Sequence, residues 1–193
     1  EDHEVGFAFG EANIDHDLEA EMTIATIGYE KSSLEDFIAT LLTSQVQVLV
    51  DVRQLPLSRR KGFSKRALGE ALNDAGIEYV HLKGLGDPKE GRDAAKAGNH
   101  GEFLRIFAAH MKTKEFKAAI ERVIPFAEGK KSCLMCYERD PEKCHRKLVG
   151  EALSGIIGAN IKHLDVPNGR ATSGARNKTR KISGSSEGLA TGR

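Results

Sequence analysis

Val46-Gln47-Val48-Leu49-Val50-Asp51-Val52 is a strongly β-branched run and predicts a strand. Working upstream, Leu34, Phe37, Ile38, Leu41 and Leu42 recur at helical spacing. Ser32 or Ser33 caps that helix, and Glu35 and Asp36 lie in its first turn, where the helix dipole favours acids. Before it, residues 22–28 alternate apolar and small side chains and end in Gly28, which predicts a first strand. Downstream, a polar loop through Arg60 and Gly62 leads into a helix over about 65–75, stopped by Gly76, and a third strand over 77–82. Residues 83–100 are glycine-rich and charged and predict a long loop of the kind that carries function. Helical patterns follow over about 101–111 and 114–127, then a strand over 131–137, a helix over about 142–155 and a last strand over 161–166. Strands separated by helices of this length imply βαβ crossovers and a largely parallel sheet covered on both faces. The expected architecture is one Rossmann-like three-layer α/β domain over 22–167.

Composition bounds the rest. The 193 residues, 39% hydrophobic, suffice for one substantial core. Lys and Arg number 29 against 28 Asp and Glu, so net charge says nothing about partners, but its distribution does. Residues 1–21 carry eight acids and no Lys or Arg, whereas 168–193 hold Arg170, Arg176, Lys178, Arg180, Lys181 and Arg193 against Glu187 alone. Both ends are too poor in apolar residues to offset the entropy of ordering, and they read as an acidic and a basic tail. The basic tail offers phosphate contacts to nucleic acid, set against the plainer reading of a solvated extension. No apolar run approaches a membrane span and the acidic start is unlike a signal peptide, so a cytoplasmic protein with no membrane partner is expected.

Chemistry concentrates in Cys133-Leu-Met-Cys-Tyr-Glu-Arg-Asp-Pro-Glu-Lys-Cys-His-Arg146, which holds all three cysteines and runs from a strand into a helix start. An odd cysteine count in one segment argues against a disulfide framework. Strand alternation puts Cys133, Met135 and Tyr137 on one side and Leu134, Cys136 and Glu138 on the other. Cys133 and Cys136 then cannot share a metal, and the neighbours Cys144 and His145 are expected to diverge, so neither metal nor cofactor is expected. Asp140-Pro141 is expected to start the helix, whose free N–H groups suit an anion and favour thiolate at Cys136 or Cys144. Glu138 reads as general base or orienter and His145 as acid or base; the plainer alternatives are a buried cysteine core and a histidine capping local carbonyls. After the second strand, Asp51 and Arg53 share a face, and Ser58, Arg59, Arg60 and Lys61 add donors suited to phosphate. Equally, Arg53 can pair with Asp51 or Glu138 and fix the corner. The dinucleotide, Walker and nucleophile-elbow glycine patterns are all missing. Aromatics are 6% with no tryptophan, leaving Tyr29 and Tyr137 as base-stacking partners.

Thr26-Ile-Gly-Tyr29, Leu49-Val-Asp-Val-Arg53, Pro56, Ser58-Arg59, Gly62-Phe63, Gly76-Ile-Glu-Tyr79, Leu85-Gly86, Leu134-Met-Cys-Tyr-Glu138 and Cys144-His-Arg146 together resemble the domain of unknown function 488 family. The resemblance spans about residues 23–155 and implies a Rossmann-like α/β domain, while implying little about the reaction. From the residues themselves, the expectation is a phosphate-bearing ligand, nucleotide or nucleic acid, bound beyond the strand ends by Tyr29, Asp51, Arg53, Ser58, Arg59 and Arg146. Glu138, His145, Cys136 and Cys144 would act on it by hydrolysis or group transfer. A non-catalytic nucleic-acid-binding module and a redox-responsive protein bridging Cys136 and Cys144 stand as alternatives.

Overall fold

A computed structural model describes residues 22–167, so the two tail regions lie outside the described residues. Five strands, β1 (Thr23–Gly28), β2 (Val48–Asp51), β3 (Glu78–His81), β4 (Ser132–Cys136) and β5 (Asn160–Leu164), form an all-parallel sheet in the order β3-β2-β4-β1-β5. The helices are α1 (Leu34–Thr43), α2 (Lys65–Asp74), α3 (Lys89–Lys96), α4 (His100–Met111), α5 (Lys114–Gly129) and α6 (His145–Ile157). The α/β fold is thus the one expected from the sequence.

Alternation along the strands feeds two cores. Ile27, Leu49, Cys133 and Met135 pack beneath α1 and α2 with Phe37, Leu41, Leu68 and Leu72. On the other face Val48, Val50, Leu134 and Cys136 meet Phe107, Phe116, Val123, Val149 and Leu153 from α4, α5 and α6. Each fully buried side chain of this size contributes roughly 1.5–3 kcal/mol. Ser33 is the N-cap of α1 and accepts from the Asp36 amide at 3.0 Å, and Gly76 follows α2 at φ 75°, a conformation that glycine adopts without cost.

Two segments differ from expectation. Residues 83–100 are not one loop: a 3-10 turn (Lys83–Leu85) precedes α3. Only Gly91 of α3 is buried, so the helix has no apolar stripe to betray it, and Lys89 pairs with Asp93 along its surface at 2.9 Å. At the corner, Pro141 opens a separate 3-10 turn (Pro141–Lys143), and α6 starts only at His145, with Cys144 as its extended N-cap.

The topology opens a crevice. After β1 and β2 the chain leaves toward the α1/α2 face, whereas after β4, which lies between them, it leaves toward the α6 face. Connections parting in opposite directions from adjacent strands leave a gap at the carboxyl edge of the sheet, where parallel α/β proteins bind ligands.

Candidate functional site

A cavity of about 390 Å³ fills this gap, and Tyr29, Arg53, Ser58, Arg59, Cys136, Glu138 and His145 all line it. Asp51, Cys144 and Arg146 are buried and do not line it. Strand parity alone separates Arg53 from Glu138, since Asp51 pairs in register with Met135 on the α1/α2 side while Cys136 faces α6. Both reach one cavity because β2 ends at Asp51 and β4 at Cys136, freeing the following residues to turn inward.

Arg53 and Asp51 form a buried bidentate pair, Nε donating to Oδ1 at 2.8 Å and Nη2 to Oδ2 at 2.6 Å. Arg53 Nη1 also donates to the Tyr29 hydroxyl at 2.8 Å and the Phe63 carbonyl at 2.9 Å. The Tyr79 hydroxyl donates to Asp51 Oδ2 at 2.6 Å. Burial opposes the guanidinium charge, but the Asp51 hydrogen bond and charge more than offset it and hold Arg53 firmly protonated. Most of the fork's donors are therefore committed to the protein. Arg53 fixes Tyr29, which stacks on Phe63 at 4.3 Å and meets Tyr137 edge-on at 5.3 Å.

Arg146 likewise turns inward. The sequence reading gave it to phosphate; instead Nη1 donates to the Glu138 carbonyl and Nη2 to the Arg139 carbonyl at 2.9 Å, with the residue 1% exposed. As the second residue of α6 its side chain folds back over the preceding corner, whose carbonyls have no sheet partners. It clamps the turn that aims Glu138.

Cys136 Sγ donates to Glu138 Oε2 at 3.3 Å and lies 3.8 Å from His145 Nδ1. His145 Nε2–H donates to the Val52 carbonyl at 2.9 Å. The expected divergence of Cys144 and His145 does not occur: the ligand atoms of Cys136, Cys144 and His145 all lie within 4.8 Å of one another. The extended backbone of Cys144, at φ −133° and ψ 134°, breaks helical spacing before His145 and lets both side chains face Cys136. Nor does the helix start produce a thiolate. Burial pushes the Cys144 thiol well above its ordinary value, and the hydrogen bond shared with Cys136 adds to that. In Cys136 the bond with Cys144 pulls downward, but burial and Glu138 leave the thiol raised.

Asp87, Arg92 and Lys96, which also line the cavity, were missed in the sequence because they sit in the stretch read as loop. Asp87 ends the connection after β3 and is 5% exposed, with Oδ1 buried and without a hydrogen-bond partner among the described residues. A Cβ at Gly91 would stand 2.2 Å from that oxygen, so α3 closes directly over the carboxyl. Burial raises its pKa to about 6, with His145 and Arg92 pulling the other way. The available signal was an acid just past the third strand, at the same edge as Asp51 and Glu138.

A raised carboxyl binds more protons folded than unfolded, so its stabilisation is present below about pH 4 and is lost as pH rises through about 6. Asp87→Asn should therefore melt higher than the parent protein at pH 7.5, with the difference vanishing near pH 4. Calorimetric melts of both proteins across that range check this, and a pH-independent difference would remove the assignment.

Basic side chains outnumber acids around the cavity, with Arg59, Arg60, Arg92 and Lys96 against Asp87 and Glu138 once Arg53 is neutralised by Asp51. Arg60 is tied to the Ser32 carbonyl and Arg92 to Gln54 and the Asp87 carbonyl, while Arg59 is exposed and makes no ion pair or hydrogen bond with another of the described residues. No helix among the described residues is long and apolar enough to cross a membrane.

Fold and crevice together define a parallel α/β protein with a cationic, acid-bearing pocket at the carboxyl edge of its sheet. Residues 33–153 match the family described as domain of unknown function DUF488, and the chain belongs to that family. The match takes in every residue of the Asp51–Arg53 pair, the Cys136–Arg146 corner and Asp87, but not β1 or Tyr29. No curated protein and no solved structure matches the chain.

Proposed function

We propose that this crevice binds a phosphate-bearing ligand, a nucleotide or a nucleic-acid end, and catalyses hydrolysis or group transfer on it. The observation that carries the reading is the cavity's charge pattern: exposed Arg59 and Lys96 line it together with the less exposed carboxyls of Asp87 and Glu138. Among the described residues Arg59 has no partner and Lys96 reaches only the exposed Asp93 at 3.9 Å, which leaves both to meet phosphate oxygens. Tyr137, 43% exposed beside Tyr29, offers a face for a base.

Asp87 and Glu138 supply the acid–base chemistry in this reading. Asp87, with its pKa near 6, is positioned to hand over a proton at neutral pH, and Glu138 to accept one from the attacking group. Arg146 holds the corner that carries Glu138, while the Arg53–Asp51 pair fixes Tyr29 at the cavity wall. Ser58, whose hydroxyl accepts from the Arg60 amide at 3.1 Å, shapes the cationic loop.

The test is binding of a fluorescein-labelled oligonucleotide with and without a 5′-phosphate, alongside inorganic phosphate as competitor. Arg59→Ala should weaken binding of the phosphorylated probe about tenfold, equivalent to about 1.4 kcal/mol, and reduce the salt dependence. Glu138→Gln should retain affinity and abolish turnover. Equal affinity for both probes, with no competition by phosphate, sinks the reading. Loss of affinity but no turnover to lose would leave a binding module instead.

A further inference from the structure

We propose that Cys136, Cys144 and His145 form a binding site for a divalent transition-metal ion of the zinc class, through both cysteine sulfurs and His145 Nδ1. The three ligand atoms lie within 4.8 Å of one another, with Cys136 Sγ 3.8 Å from Nδ1. Tetrahedral zinc, with bonds of about 2.3 Å to sulfur and about 2.0–2.1 Å to nitrogen, sets its sulfur and nitrogen ligands about 3.6 Å apart and two sulfurs about 3.8 Å apart. The Cys136–Nδ1 edge of the cluster is close to that size and the spread of the ligand atoms does not exceed 4.8 Å, so side-chain movements of about 1 Å would accept an ion.

Two further features separate the cluster from an ordinary packing of buried cysteines. His145 has its Nε2 proton fixed by the Val52 carbonyl at 2.9 Å, because a carbonyl can only accept. That leaves Nδ1 as the nitrogen available to ligate once the ion displaces its proton, with the Cys136 sulfur 3.8 Å from it and 4.0 Å from Nε2, and the outer hydrogen bond is the kind that orients metal-bound imidazoles. The remaining cysteine is the internal control. Cys133 packs in the α1/α2 core, and among the described residues its sulfur hydrogen-bonds only the Leu134 carbonyl, at 3.8 Å.

The ligands are also placed to leave one side open. Cys136 and His145 line the cavity, and Glu138 Oε2 sits 3.3 Å from the Cys136 sulfur. Three protein ligands with the fourth position turned to a cavity is the arrangement of a catalytic rather than a purely structural zinc ion. Two thiolates and an imidazole select zinc-class ions over magnesium or calcium. Binding releases the protons held by the ligating atoms, so affinity rises with pH.

The experiment uses the full chain, reduced, stripped of metal by a chelator and titrated with cobalt(II). Expected is a near-ultraviolet thiolate-to-cobalt charge-transfer band that saturates at one equivalent and is bleached by zinc. Cys136→Ser and Cys144→Ser should each weaken the band and lower affinity at least tenfold, whereas Cys133→Ser should leave both unchanged. If a serine variant fails to fold by circular dichroism, the parent protein still decides the matter. Zinc should slow alkylation of Cys136 and Cys144 at least tenfold, mapped by mass spectrometry, without slowing Cys133. The proposal is overturned by no charge-transfer band at stoichiometric cobalt, by a band indifferent to Cys136→Ser, or by equal alkylation rates with and without zinc. None of these readouts requires a substrate, so they stand or fall apart from the phosphate assignment.

Discussion

Asp51→Ala is expected to lower the melting temperature by on the order of 10 °C, the largest stability loss of any single polar substitution near the crevice. Asp51 is fully buried and accepts from Arg53 Nε, Arg53 Nη2, the Arg53 amide and the Tyr79 hydroxyl. Removing it leaves a buried guanidinium without its counter-charge and a buried phenol without its acceptor. Breaking one half of a buried pair costs about 3–5 kcal/mol, against a total stability of about 5–15 kcal/mol. The comparison is Glu70→Ala, which removes the Arg66–Glu70 bridge, whose side chains are 92% and 64% exposed, and should leave the melting temperature nearly unchanged. Because the penalty comes from the stranded charge, Asp51→Ala with Arg53→Met should recover part of the loss while Tyr29 loses its tether. Chemical-denaturation and thermal melts of the four proteins check this. A shift for Asp51→Ala no larger than that for Glu70→Ala would mean that the pair contributes nothing.

That pair also shows where sequence reasoning works and where it stops. Val48, Leu49 and Val50 announced a strand buried on both sides, and the parity of Asp51 and Arg53 placed them together. Leu134 and Cys136 likewise fell on the face opposite Cys133 and Met135, as alternation requires. Such periodic signals are local and survive in the sequence. The direction of a long side chain at a strand end is not local. Arg146 reads as a phosphate ligand from its type alone, yet the unpaired carbonyls of Glu138 and Arg139 take its donors once the corner folds. Asp87 reads as a solvated loop acid until α3 closes over it. The approach of Cys144 and His145 to Cys136 depends on a single extended residue at a helix cap, which no hydrophobic period encodes. The fold was therefore legible from pattern, and several of the residues that line the crevice from type and strand position. Their division into positioning groups and groups free to meet a ligand required the packed structure.

Gly28→Ala is expected to dismantle the crevice while leaving the rest of the sheet in place. Gly28 is the last residue of β1 and pairs in register with Cys136. A Cβ there would stand 1.8 Å from the Glu138 carbonyl oxygen, 2.6 Å from its carbon and 3.0 Å from Arg139 Cα. All three are backbone atoms, so no rotamer change relieves the overlap. The corner must lift, drawing the Glu138 carbonyl off Arg146 and moving the Glu138 carboxyl away from Cys136. Overpacking of this kind costs about 1–3 kcal/mol, which a domain of this size tolerates. Function should suffer more than stability: affinity for the phosphorylated probe falls about tenfold or more and turnover disappears, since acid–base groups misplaced by about 1 Å lose on the order of a hundredfold. Gly155→Ala, inside α6 with nothing within 4 Å of the added carbon, is the control and should raise stability by about 0.5–1 kcal/mol. Amide chemical shifts of the two variants would locate the change, expected at residues 136–146 for Gly28→Ala and confined to α6 for the control. Unaltered probe binding together with an unaltered corner in Gly28→Ala would show that the close approach of β1 to Glu138 does not set the geometry of the site.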